Sequence, residues 1–174
     1  MLTIVEALQW IDDRLGTADR ARHSTFVGHA MRSLAEIVGA DALLWELTGL
    51  CHDLDFDAVA GDWSRHGIVT AEWLKDQLPD DALLAIRSHD HRTGITCDRP
   101  ICRALKLTDA LAIVTDTLGP ETSAVLQSRN AADQLATRFA ARPYLVSLLV
   151  GNAEALGVPL TQLASILRHA PPSS

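Results

Sequence analysis

"LCHDLDFD", residues 50–57, places a histidine and a carboxylate side by side where an apolar run stops, then adds carboxylates at every second position. The run begins at Asp41, a natural N-cap, and carries Leu43, Leu44, Leu47 and Leu50 at helical spacing, which predicts a helix over 41–53. His52 and Asp53 therefore sit at a helix C-terminus, ahead of Asp55 and Asp57. Neighbours on a helix point about 100° apart, so both side chains reach one point only if it lies between their directions near the helix end. A lone His-Asp pair also fits a bland helix terminus with solvated carboxylates. The decision between the two rests on what surrounds the pair.

Outward from this segment the pattern is helical. Residues 3–15 space Ile4, Leu8, Ile11 and Leu15 as one helical face and stop at Gly16. Residues 19–38 continue with Phe26, Val27, Ala30, Leu34 and Ile37 before Gly39. A loop, DFDAVAGDWS, leads to helices over 65–77 and 80–89, separated near Pro79. A second loop, HRTGITCDRP, precedes a long helix over 100–118, closed by Gly119-Pro120. Helices over 130–140, 143–155 and 159–169 come next, and PPSS is a frayed end. No strand-like alternation, repeat or low-complexity tract interrupts this. The expected architecture is one all-α domain spanning 1–174, a helical bundle with short loops, in which the segment beyond residue 125 only completes the core.

The bulk numbers narrow the function classes. A chain of 174 residues with 48% hydrophobic content can bury a sizeable core and is not a disordered chain. Fifteen basic against 22 acidic residues leave a net charge of −7, a poor basis for nucleic-acid binding, which needs Lys and Arg against phosphates. Cys51, Cys97 and Cys102 are odd in number and form no CxxC pair, so neither a disulfide framework nor a thiolate zinc site is expected, and a reducing cytoplasm is. MLTIVEALQWIDDRLG carries Glu6, Asp12 and Asp13 and reads as an amphipathic helix rather than a signal peptide. No apolar run of about 18 residues marks a membrane span.

Seven histidines are spread along the chain, and four fall at telling places. His23 lies within the second predicted helix, His52 ends the third, His66 begins the next and His89 ends the one after. Imidazoles at successive helix ends can converge inside a bundle, and with carboxylates they are the usual ligands of Zn, Fe, Mn, Ni or Co. Each is also readable as an ordinary core or helix-end histidine. Other schemes are absent: no GxSxG, no P-loop and no GxGxxG. Cys51 precedes His52 directly, and helical neighbours do not face each other, which disfavours a Cys-His nucleophile pair.

Five segments, taken in order, resemble the HD-domain superfamily of metal-dependent phosphohydrolases. HSTFVGHA, from His23, resembles its first-histidine helix; ELTGLCHDLDF resembles its His-Asp segment; SRHGIVTAEWL resembles the third-histidine segment at His66. AIRSHDH resembles the fourth at His89, and ALKLTDALAIV the last at Asp109. The resemblance spans about 20–120 and is nearest to small stand-alone HD hydrolases with an HDID-like motif. It implies that His23, His52, Asp53 and Asp109 hold a first divalent transition metal (Mn, Ni, Co, Fe or Zn). His66 and His89 would hold a second, with Asp53 bridging. His52 and Asp53 would be the catalytic centre, with metal-activated hydroxide attacking a small phosphomonoester or phosphodiester, a nucleotide being one such substrate.

Alternatives stay open at this point. Asp116 replaces Asp109 if the register is off by two turns, and His91 competes with His89. His29 reads as a core or supporting residue. Arg92 and Lys106 are candidate substrate-binding cations, because Arg holds phosphate through a bidentate fork, and each also reads as a surface charge. Asp55 is placed to orient a ligand histidine, and Asp57 to be solvated. The same six ligands fit a di-iron oxygenase, and a regulatory module could keep the fold without catalysis. The expected partner is a small phosphorylated substrate, with no nucleic acid and no membrane; a homo-oligomer is left open.

Overall fold

The computed structural model describes residues 1–167, and among these there are ten α-helices and no strand. Helix α1, Ile4–Arg14, starts with a capping box in which Thr3 and Glu6 satisfy each other's backbone amides. α2 spans Ala18–Val38 and α3 Ala42–Cys51, the latter capped by Asp41 as its sequence demands. α4, Ile68–Trp73, and α5, Asp80–Ser88, come after a turn-rich segment, and the long α6 covers Pro100–Leu118. The remaining helices are α7, Glu121–Gln127; α8, Ala131–Arg138; α9, Pro143–Ala155; and α10, Leu160–Ile166.

Two packing relationships bring the histidines and Asp109 together. α2 and α3 approach at backbone distance: a Cβ on Gly49 would meet Val27 O at 2.8 Å and Gly28 Cα at 2.9 Å. That closeness brings His23 and His52 ring centroids to 5.3 Å. α6 is the central helix, packed by α2, α5 and α9, with Leu105, Leu107 and Leu111 fully buried. Each such leucine contributes about 2 kcal/mol of transfer free energy relative to exposure. Asp109 interrupts this apolar helix as a carboxylate flanked by buried Thr108 and Ala110.

Several expectations need correction. The helix expected over 65–77 is regular only over Ile68–Trp73, because Gly67 takes a left-handed φ of 80° and a 3-10 turn, Trp63–Arg65, precedes it. α7 was not expected; it is a seven-residue helix just after Gly119-Pro120, too short to show a period. Cys97 and Cys102 form a disulfide, since the chain turning into α6 brings their Cα atoms to 5.9 Å; Cys51 is the free, buried thiol. Asp57 is not merely solvated: it pairs with Arg20 and accepts from Gly16 N at 3.0 Å. His29 is half-exposed near Glu46 rather than in the core, because six residues on from His23 is a different helix face. The end of the helix expected over 159–169, and PPSS, lie outside the described residues. Among the described residues no single helix is long and apolar enough to cross a membrane.

Candidate metal centre

The six residues singled out in the sequence converge. His52 and His89 are each the capping residue at the C-terminal end of a helix, α3 and α5. His66 ends the 3-10 turn ahead of α4, His23 comes from the second turn of α2, and Asp109 from the middle of α6. Asp53, one residue beyond His52, lies at the centre. Its Oδ1 is 3.3 Å from His52 Nε2, 3.1 Å from His66 Nε2 and 3.3 Å from His89 Nε2. Its Oδ2 faces His23 Nε2 at 3.7 Å, and His23 Nε2 is 3.2 Å from Asp109 Oδ1. His91 is exposed and points outward, and Asp116 is exposed; neither joins the cluster.

The tautomers are set by the outer hydrogen bonds. His52 Nδ1 donates to Gly49 O at 2.8 Å, and His89 Nδ1 donates to Ile86 O at 2.7 Å. His66 Nδ1 donates to Asp55 Oδ1 at 2.8 Å. With Nδ1 carrying the proton, each neutral ring turns an Nε2 lone pair inward. His66 Nε2 and His89 Nε2 lie 3.2 Å apart beside a carboxylate, so two neutral rings of this tautomer would face each other lone pair to lone pair, and a proton or a cation fills the gap. His52 Nε2 is buried and has no hydrogen-bond partner. Lone pairs and carboxylates in that arrangement repel unless positive charge enters. Two overlapping donor groups, His23–His52–Asp109 and His52–Asp53–His89, each have ligand atoms close enough to hold a cation, with His52 common to both, so the residues fit divalent metal.

Titration behaviour carries the same message. Burial opposes charge on His66, but hydrogen bonds and attraction to Asp53 and Asp55 outweigh it and push the ring up to about 10. Burial likewise opposes charge on His23, and Asp109, with Asp53 and Asp116, raises it to about 9. His52, wholly buried, is lowered to about 4 by desolvation. Burial also opposes charge on Asp53 and Asp109, and the surrounding imidazoles overcome it and hold both below the usual carboxylate range. Without a metal, the site gathers protons. Cys51 is buried and its thiol is pushed up to about 12, so it is no nucleophile.

Asp55 supports the cluster from behind. It is completely buried, and its Oδ2 accepts from the Gly67 and Thr70 amides at 2.8 and 2.9 Å, closing the N-terminus of α4. Thr70 Oγ1 accepts from Asp55 N at 3.0 Å in return.

A cavity of about 1180 Å³ opens from the cluster. Arg92 and Lys106 both line it, as does Arg20, which the sequence pattern does not single out. Arg92 is paired with Asp90 and lies 4.3 Å over the Trp63 ring; Arg20 is paired with Asp57 and lies 4.0 Å over Phe56. The available cue for Arg20 is its place three residues before His23, on the same helix face. Lys106 reaches toward Cys97 O at 3.5 Å, and burial pulls its ammonium below the usual range. The far wall includes Tyr144, Leu145, Ser147 and Leu148, so α9 does more than complete the core.

Comparison with protein families matched residues 20–114 to the HD domain. Comparison with curated proteins and with solved structures gave no match. All six converging residues, from His23 to Asp109, fall inside the matched stretch, and the superfamily it defines is one of metal-dependent hydrolases. With more than half of its length matched and an all-α fold to accompany it, the chain belongs to the HD-domain family.

Proposed function

We propose that the protein is a metal-dependent phosphohydrolase acting on a small phosphomonoester or phosphodiester. One observation carries the reading: six inward-facing ligand side chains, three with their imidazole tautomer set by an outer hydrogen bond, surround a point that attracts positive charge. His23, His52, Asp53 and Asp109 would hold one cation, and His66 and His89 a second, with Asp53 shared. Its Oδ2 faces His23 and its Oδ1 faces His52, His66 and His89, so the carboxylate stands between the ligands of both proposed ions. Bound cations supply Lewis acidity: they lower the pKa of water and offset charge building on a phosphoryl group.

The chain's own residues do the rest. Asp55 keeps His66 in its donor tautomer, and the Gly49 and Ile86 carbonyls do so for His52 and His89. Arg92, braced by Asp90 and Trp63, offers a guanidinium fork to phosphate oxygens, and Lys106 and Arg20 add positive charge to the cavity wall. An acidic protein thereby binds a phosphoester without a basic surface.

The test is metal analysis of protein purified without chelator, beside His66→Ala and His89→Ala, with phosphoester assays using the metal found. About two ions in the wild type, about one in each variant, and hydrolysis that disappears in His52→Ala is the expected result. Iron with oxygen consumption and no phosphoester turnover overturns the hydrolytic reading in favour of oxygenase chemistry.

A further inference from the structure

We propose that α9, which lies wholly outside the matched domain, is the specificity wall of the cavity, and that Tyr144 and Leu148 with Ile113 of α6 seat an apolar, aromatic-sized organic group of the substrate. This rests on the phosphoester reading for the other half of that substrate. The first support is a stripe on α6: Lys106, Asp109, Ala110 and Ile113 all line the cavity at helical i, i+3, i+4, i+7 spacing. The stripe changes from charged to apolar along its length, and Ile113 lies one turn, about 6 Å, beyond Asp109. The second is α9, packed along α6, whose Tyr144, Ser147 and Leu148 share one face and line the same cavity. Leu149, Asn152 and Ala153 of α9 are buried instead, so the helix is anchored by one side and presents another.

The third support is Tyr144 itself. It is 55% exposed, among the few large apolar side chains left open on the described surface. None of the ring–ring contacts of the described residues involves it, and it lines the same cavity as Arg92. An aromatic side chain in the same cavity as an arginine suits a ligand with a flat apolar half and an anionic half. The volume leaves room for it: about 1180 Å³ exceeds the roughly 300–1,000 Å³ of pockets that take drug-sized ligands and is far more than a bare phosphate needs.

The test uses the full chain loaded with Mn and two non-hydrolysable probes, 1-naphthylphosphonate and methylphosphonate, titrated by calorimetry. The wild type is expected to bind the naphthyl probe at least tenfold more tightly. Tyr144→Ala and Leu148→Ala should each weaken the naphthyl probe about five- to tenfold and leave methylphosphonate unchanged, while Tyr144→Phe restores the ring and the affinity. Tyr144 is exposed, so its substitution leaves the fold intact, and unchanged methylphosphonate binding verifies this. The proposal is overturned if the naphthyl probe binds no more tightly than methylphosphonate, or if the variants weaken both alike. The phosphohydrolase reading is scored separately, by turnover: tight, Tyr144-dependent probe binding without hydrolysis of any phosphoester keeps the wall and sinks the reaction.

Discussion

Asp55 accepts from His66 Nδ1 with one carboxylate oxygen and from the Gly67 and Thr70 amides with the other, so one buried side chain both orients an imidazole and closes a helix. Asparagine has one oxygen, so its amide N–H faces either the Gly67 and Thr70 amides, donor to donor, or His66 Nδ1, which forces that ring into the tautomer with its proton on the inward Nε2. Asp55→Asn is expected to destabilise the protein by about 2–4 kcal/mol and to weaken metal binding about 10- to 100-fold. Denaturant titration and competitive metal titration measure the two effects. A variant with wild-type stability and affinity would remove Asp55 from this role.

Gly67 separates His66 from α4 with a φ of 80°, and a Cβ there would meet Ile86 O at 2.3 Å and the His89 ring at 3.1 Å. Gly67→Ala should therefore cost well over 2 kcal/mol and displace both imidazoles, lowering metal content as well. Gly94, also left-handed but with nothing near its missing Cβ, is the control: Gly94→Ala should cost only about 1 kcal/mol. Equal denaturation midpoints for the two variants would contradict the steric account.

The metal-free protein should be most stable near pH 6.5. His23 and His66 are raised above their unfolded value of 6.5, to about 9 and about 10, so their contribution is complete below 6.5 and is lost as pH climbs through those values. His52 is lowered to about 4, so its contribution is present above 6.5 and is lost as pH falls toward 4. Asp53 and Asp109, held below 3.8, add further loss only in stronger acid. Denaturation midpoints from pH 4 to 10 give the curve. Saturating metal should flatten its alkaline side, since a cation replaces the protons on His23 and His66 and releases them.

Arg92 lines the cavity and is held between the Asp90 carboxylate, which takes its Nε and Nη2 hydrogens, and the Trp63 face. With a phosphomonoester substrate, Arg92→Ala should raise KM about tenfold or more, and Arg92→Lys should recover only part, because an ammonium neither forks nor stacks as a guanidinium does. Steady-state kinetics on all three proteins decide this; an unchanged KM in Arg92→Ala would return Arg92 to the surface charges.

Much of the centre can be read in the sequence because its residues sit at helix ends that hydrophobic spacing marks well. His52 and His89 are each one residue past a helix, and the apolar runs before them fix where those helices stop. The parts that stay hidden depend on contacts between distant segments. Asp55 is readable as a support but its partners are not, since nothing local links it to His66 and Gly67. Arg20, Phe56 and Trp63 meet only because the turns over 54–66 fold back against α2. The α9 wall depends on how α9 lies along α6, and a spacing of five between Cys97 and Cys102 gives no hint of pairing until the chain turns into α6.

The 3.2 Å separation of His66 Nε2 and His89 Nε2 reaches beyond the chemistry of the site. In the metal-free chain, protons held on His23 and His66 offset that crowding, so an entering cation takes over a role that protons fill. A cation that binds only the folded chain, at 100 times its Kd, adds about 2.7 kcal/mol, a large share of what keeps a domain folded at all. Survival of this chain against proteases is then expected to gauge cation supply, with loaded molecules outlasting starved ones, and limited proteolysis with and without added Mn measures it.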